Sequence, residues 1–159
     1  MTTMSLKSAT HKDLNQVLTS LLTSINQFFL HARICKDWGL DALDGVFYKK
    51  SIQDMKHADD LIERILLLGG LPNLQQLDRL MIGESPEEVL AANARFLDHQ
   101  HGRIKAAIAA CETAQDYVSR DLLCSILDEE EESIDWHETQ QSLIKDTGLQ
   151  NYLQSQTGA

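Results

Sequence analysis

Asp54 and His57 stand three residues apart in the stretch Ser51-Ile52-Gln53-Asp54-Met55-Lys56-His57-Ala58-Asp59, within a run of helical periodicity. On a helix, residues at i and i+3 share a face, so this carboxylate and imidazole can reach the same metal ion or the same hydrogen-bonding partner. At ~100° per residue, Met55 points about 130° away from the mean direction of that pair, so its thioether serves a different surface. A third group comes from the acidic run Asp128-Glu129-Glu130-Glu131-Glu132. Such a run is ordinarily a solvated face. Five consecutive helical residues nevertheless sweep ~400°, and one of them must turn inward. Register with Leu123, Ile126, Ser133, Ile134 and His137 selects Glu130. A buried carboxylate requires a cation, a metal or a hydrogen-bond donor. From the residues alone, Asp54, His57 and Glu130 read either as a structural hydrogen-bonded cluster or as a metal site. Met55 reads either as packing or as a soft ligand.

These residues have to be carried by helices. Strand-like alternation is absent, and the only prolines are Pro72 and Pro86, which predicts an all-α chain. The periodicity predicts helices over about 8–38, 41–68, 86–114, 117–146 and 149–155, arranged as a four-helix bundle with one long crossover and a short fifth helix. Gly39 and Gly148 are placed to end helices, Asp41 and Asp116 to cap the ones that follow, and Ser85-Pro86-Glu87-Glu88 to open the third with a capping box. The connection from Gly69 to Ser85 carries Leu74, Leu77, Leu80, Met81 and Ile82. It is expected to pack along the bundle and link two parallel helices. The second helix shows two apolar stripes. One runs Phe47, Ser51, Asp54, Ala58, Leu61, Ile65, Leu68 and faces its own bundle; the other runs Tyr48, Ile52, Met55, Ile62, Leu66 and is expected to face a partner subunit.

The chain has 159 residues with Lys plus Arg 14 and Asp plus Glu 24, a formal net charge of −10. It fits one domain, 1–159, and the acidic balance argues against nucleic acid or an anionic membrane as partner. No apolar run reaches the ~20 residues of a membrane span, and Met1 to Asp13 has no signal-peptide core, so a cytoplasmic location is expected. Cys35, Cys111 and Cys124 are odd in number and widely spaced, which predicts buried reduced thiols. His11, His31, His99 and His101 carry no ligand motif. His137, one turn beyond Ser133, is placed to reach toward the Asp54–Glu130 region. Trp38 and Trp136 are assigned to packing.

The chain resembles bacterioferritin along almost its whole length. The resemblance rests on Ile25-Asn26-Gln27-Phe28-Phe29-Leu30-His31-Ala32-Arg33, Met55-Lys56-His57-Ala58-Asp59, Ile62-Glu63-Arg64-Ile65-Leu66, Gly70-Leu71-Pro72-Asn73-Leu74-Gln75, Asp116-Tyr117-Val118-Ser119-Arg120-Asp121 and Gly148-Leu149-Gln150-Asn151-Tyr152-Leu153-Gln154. It implies a ferritin-like bundle assembling into a hollow shell of twenty-four subunits that stores ferric mineral, with haem b between paired subunits. Met55 matches the methionine that ligates haem iron, one from each of two subunits. Leu22, Ile25, Asn26, Phe29, Tyr48, Ile52 and Lys56 line that pocket by resemblance.

The family also carries a di-iron oxidase centre in each bundle, built from one Glu on each of two helices and Glu-x-x-His on each of the other two. By resemblance those positions fall here on Leu21, Leu97, Asp54-x-x-His57 and Glu130-x-x-Ser133. Donors are lost at Leu21, Leu97 and Ser133, and one carboxylate is shortened, so a di-iron centre is not expected. Lys49, Lys50 and Gln53 stand where the family often has acidic or imidazole groups along the inner route for iron.

The resulting expectation is a haem-binding subunit with little or no ferroxidase activity of its own. It is expected to form homo- or hetero-oligomers, co-assembling with a ferroxidase-competent sister subunit, and to pass electrons inward for iron release. A ferredoxin is the implied reductant, with Leu71, Leu80 and Met81 as exposed docking candidates, and Asp135, Asn151 and Gln154 as pore candidates. The alternatives are an altered ferroxidase using Asp54, His57, Glu130 and His137, a DNA-protecting mini-ferritin, which the acidic charge disfavours, and a helical scaffold without cofactor.

Overall fold

The computed structural model describes residues 2–158, with side-chain surroundings from residue 10 onward. Five helices follow one another: α1 (Thr2–Asp37), α2 (Asp41–Leu67), α3 (Pro86–Thr113), α4 (Tyr117–Thr147) and α5 (Leu149–Gln156). The first starts earlier than its apolar periodicity, at Thr2 instead of about residue 8. α1 ends where Gly39 takes φ +80° and Leu40 N donates to Cys35 O at 2.9 Å, a left-handed stop that only glycine adopts without steric cost. Asp41 does not cap α2 as expected. Leu40 precedes the helix without a side-chain cap, and Asp41 lies inside the first turn, where its negative charge interacts favourably with the positive end of the helix dipole. At α3 the cap is present: Ser85 Oγ accepts from Glu88 N at 3.2 Å. Asp116 accepts from Ser119 N at 3.2 Å to open α4.

α1 pairs with α2 and α3 with α4 through short reversals, while the two pairs meet chiefly through α1 and α3. The irregular segment between α2 and α3 runs back along α1. Leu68 O accepts from His11 Nε2, Leu71 O from Asn15 Nδ2, and Thr23 Oγ1, Gln27 Oε1 and His31 Nε2 accept from Asp78 N, Met81 N and Gly83 N. Its contacts advance steadily from the start of α1 to its end, so α3 begins beside the end where α2 began. The two helices run parallel, as the crossover reading requires.

What holds the crossover differs from the expectation. Leu74, Leu77, Leu80 and Ile82 remain exposed, and only Met81 is half-buried against the core. The segment is anchored by its backbone. Asn15, Thr19, Thr23, Gln27 and His31, spaced by four, form one polar stripe of α1, and all of them but Thr19 bond backbone groups of the crossover that have no helical partner of their own. Arg103 clamps the other side through Asp78 Oδ2 at 2.7 Å.

The core divides into two apolar clusters. One contains Leu18, Leu21, Leu61, Ile65, Ile104, Leu123 and Ile126, the other Phe28, Phe47, Leu90, Phe96, Leu97 and Tyr152. Between them in sequence, on every one of the four helices, lies a buried polar residue: Ser24, Lys50 and Asp54, Gln100, and Glu130. Cys35 and Cys111 are buried, and burial pushes both thiols up to about 12. Cys124 departs from the expectation: its position on α4 turns it to the surface. Trp38 is likewise exposed, whereas Trp136 packs edge-on against Phe47. No helix among the described residues is long and apolar enough to cross a membrane.

Candidate functional site

The polar layer is the first place where side chains converge. α2 contributes Asp54 from its inner stripe, and all of Phe47, Ser51, Asp54, Ala58, Leu61 and Ile65 are buried as the periodicity requires. α4 contributes Glu130, fully buried while Asp128, Glu131 and Glu132 stay in solvent. Two carboxylates in an apolar surround demand a counter-charge, and it comes from Lys50. Its ammonium donates to Asp54 Oδ1 at 2.8 Å and also to Glu130 Oε1. Ser24 Oγ on α1 donates to Asp54 Oδ2, which completes that carboxylate. Glu130 Oε2 has no hydrogen-bond partner among the described residues.

Lys50 was expected on the inner route for iron; it is 6% exposed and sits inside the bundle. The signal for this was present in the sequence. Lys50 and Asp54 are an i, i+4 pair, and at ~100° per residue Lys50 lies about 40° from Asp54, on the inner stripe. Burial alone would push the lysine down, but the charges of Asp54 and Glu130 outweigh it and hold the ammonium above its ordinary range. For Glu130 burial wins: desolvation lifts it to about 7 against the pull of Lys50.

His57 does not join the layer. Its Nε2 lies against Glu129 Oε2, so Asp54 and His57 share a helix face yet serve different partners. His137 does not reach the carboxylates either. Its Nδ1 donates to Ser133 O at 2.8 Å, and the ring stacks on Phe47 and meets Trp136 and Phe28 edge-on. Leu21 and Leu97 are fully buried and belong one to each apolar cluster, bounding the polar layer on both sides. Ser133 is half-buried. Among the described residues, no group of three His, Cys, Asp or Glu side chains converges as metal ligands do.

The second candidate lies on the outer face of α1 and α2. Met55 is 52% exposed, Phe29 48% and Tyr48 40%. Asn26 and Lys56 are exposed beside them, and Leu22, Ile25 and Ile52 are half-buried. Phe29 and Tyr48 pack at 6.3 Å between ring centroids, with the Arg33 guanidinium 5.0 Å from the Tyr48 ring. Of the eight residues of the expected pocket, Met55, Phe29, Tyr48, Asn26 and Lys56 are thus exposed and Leu22, Ile25 and Ile52 half-buried on α1 and α2. His31, for which the sequence suggested no role of its own, is buried and hydrogen-bonded to the crossover. His99 is exposed, and His101 pairs with Glu131 at 2.8 Å. Asp135, Asn151 and Gln154 are exposed.

Comparison with known proteins agrees with the fold. Residues 11–147 match the ferritin-like domain family. A "Bacterial ferritin" of Synechocystis sp. is 41% identical over 151 residues, covering 94% of this chain and 97% of the relative. A "Bacterioferritin" of Mycobacterium bovis is 40% identical over 139 residues, 87% of each chain. A "Bacterial ferritin" of Pseudomonas aeruginosa is 39% identical over 144 residues, 90% of this chain and 93% of the relative. With such identity sustained from α1 to α4, and a bundle with a crossover between parallel helices, the chain belongs to the ferritin family, among the bacterioferritins.

Proposed function

We propose that this chain is a haem-carrying subunit of a bacterioferritin iron-storage shell that does not itself oxidise ferrous iron. The observation that carries the reading is Met55, half-exposed in an apolar face that a lone subunit leaves open to water. An exposed patch of this kind marks an interface, and a thioether at its centre adds a donor suited to ferrous iron. The residues therefore fit a haem shared by two copies of the face. Met55 would ligate the metal, Leu22, Ile25, Phe29 and Ile52 would cover the macrocycle, and Asn26, Tyr48 and Lys56 would edge it. When bound, the haem supplies one-electron transfer, so that stored ferric iron, the cargo, can be reduced and released.

The residues do not fit a di-iron centre. Leu21 and Leu97 offer no donor, Ser133 replaces an imidazole, and Asp54 and Glu130 are engaged by Lys50. A subunit of this kind depends on a ferroxidase-competent sister subunit in the same shell for its ferric supply. For the external ferredoxin, Leu71, 83% exposed, and Leu80 remain contact candidates, while Met81 is withdrawn by its half-burial. Replacing Leu71 and Leu80 by Ser is expected to slow haem reduction by the ferredoxin; an unchanged rate removes that surface from consideration.

The test is a visible absorption spectrum of purified shells prepared with haem available, wild type against Met55→Leu, together with oxygen uptake on adding ferrous iron. The wild type should show a haem band that the variant lacks, and both should consume oxygen at little more than the uncatalysed rate. A band equal in both overturns the haem reading. Rapid oxygen uptake supports instead an altered ferroxidase built on Asp54, His57 and Glu130.

A further inference from the structure

We propose that Lys50 supplies the cation of the buried Asp54–Glu130 centre from within the chain, and that this ammonium is what excludes divalent metal from it. The inference rests on the non-oxidising reading above and gives it a physical cause. Asp54 and Glu130 approach one point from α2 and α4, both fully buried, and such a pair is stable only around a positive charge. Lys50 Nζ occupies that point, donating to one oxygen of each carboxylate. Ser24 holds the other oxygen of Asp54, so Glu130 Oε2 is the single carboxylate oxygen of the pair without a partner. A divalent ion approaching the centre meets an ammonium at contact distance and finds one free donor. Lysine is a point charge on a flexible stem and needs no fixed coordination geometry, so it neutralises the pair where a metal would need further ligands.

Two consequences separate this from a lysine that merely fills space. Without the ammonium the two carboxylates become a cation site, and the instability left by its removal comes from uncompensated charge. The experiment uses assembled wild type, Lys50→Met and the double variant Lys50→Met/Glu130→Gln, each titrated with cobalt(II) and followed by d–d absorption and thermal melting. The wild type should show no cobalt band above that of the double variant and no shift in melting temperature. Lys50→Met should melt lower without metal and bind cobalt. Its melting temperature should then rise by about 5–10 °C at cobalt a hundredfold above its Kd. The double variant should melt above Lys50→Met in metal-free buffer. Should Lys50→Met fail to assemble, that last comparison still decides, because the double variant must then fold.

Cobalt binding to the wild type at this centre overturns the proposal. So does an absence of cobalt binding to a folded Lys50→Met, or a double variant no more stable than the single one. A wild type that binds cobalt but oxidises no ferrous iron defeats the role of Lys50 alone. A wild type that oxidises ferrous iron defeats the functional reading.

Discussion

His137 is a buried imidazole held neutral by its surroundings. Burial lowers it to about 4 despite the bond to Ser133 O, and Lys50 on α2 and His31 on α1 add like-charge opposition to the protonated form. The unfolded chain binds a proton near 6.5 and the folded chain only near 4, so this residue makes stability fall as pH drops from about 6.5 toward 4. The loss approaches ~3 kcal/mol at most, since each unit of separation corresponds to about 1.4 kcal/mol. Glu130 acts in the opposite sense, because its folded value lies above the unfolded one and stability falls as pH rises between them. Comparing wild type with His137→Phe removes that opposing contribution, which is common to both. The urea midpoint of the variant should depend less steeply on pH between 6.5 and 4, and parallel curves would show that His137 does not govern acid sensitivity. Leu97 gives a second prediction at this scale. It is fully buried beside the polar layer, so Leu97→Ala is expected to cost about 2–5 kcal/mol in chemical denaturation.

At the scale of elements, the crossover is the segment whose stability depends least on apolar burial. Five of its large hydrophobic side chains, Leu71, Leu74, Leu77, Leu80 and Ile82, are exposed, and its backbone N–H groups at Asp78, Met81 and Gly83 are satisfied by Thr23, Gln27 and His31. The tautomer of His31 follows: Nε2 accepts from Gly83 N, so Nδ1 donates to Asn93 Oδ1 at 2.8 Å. Burial lowers this imidazole, which keeps Nε2 free to accept. Gln27→Leu is expected to leave Met81 N unpaired, at a cost of about 1–3 kcal/mol. Amide exchange should quicken first at residues 78–83 while α2 and α4 keep their protection; uniform acceleration over the bundle would show that the ladder is not local. Gly83 is constrained for another reason. An added Cβ would lie 2.3 Å from Val89 N in the first turn of α3, so Gly83→Ala should loosen that turn and lower the melting temperature.

At the scale of the whole molecule, the proposed subunit contact and the proposed haem site fall on the same exposed face of α1 and α2. The two can be separated because they depend on different properties of the same stripe. Met55→Leu keeps the apolar area and removes the sulfur donor. Ile52→Glu places a charge in the face, which association would have to desolvate. Sedimentation should therefore find Met55→Leu assembled without haem and Ile52→Glu in smaller species without haem. An Ile52→Glu shell indistinguishable from wild type would place the subunit contact elsewhere.

Much of this protein was legible in its residue order. The helices follow from periodicity and punctuation, the inward turn of Glu130 from the impossibility of exposing five successive helical residues, and the outward turn of Met55 from its angle to Asp54. These are properties of one helix at a time. Family membership likewise follows from linear similarity sustained over most of the chain. What required the tertiary structure was the choice of partner among groups the sequence made equally available. His57 lies against Glu129, His137 is enclosed by aromatic rings, and Lys50 settles between Asp54 and Glu130. The same holds for the crossover, whose leucines suggested burial while its backbone N–H groups took the polar stripe of α1. Periodicity states which way a side chain points; only the packed bundle determines which charge or hydrogen-bonding group stands opposite, because that depends on the relative placement of helices far apart in the chain.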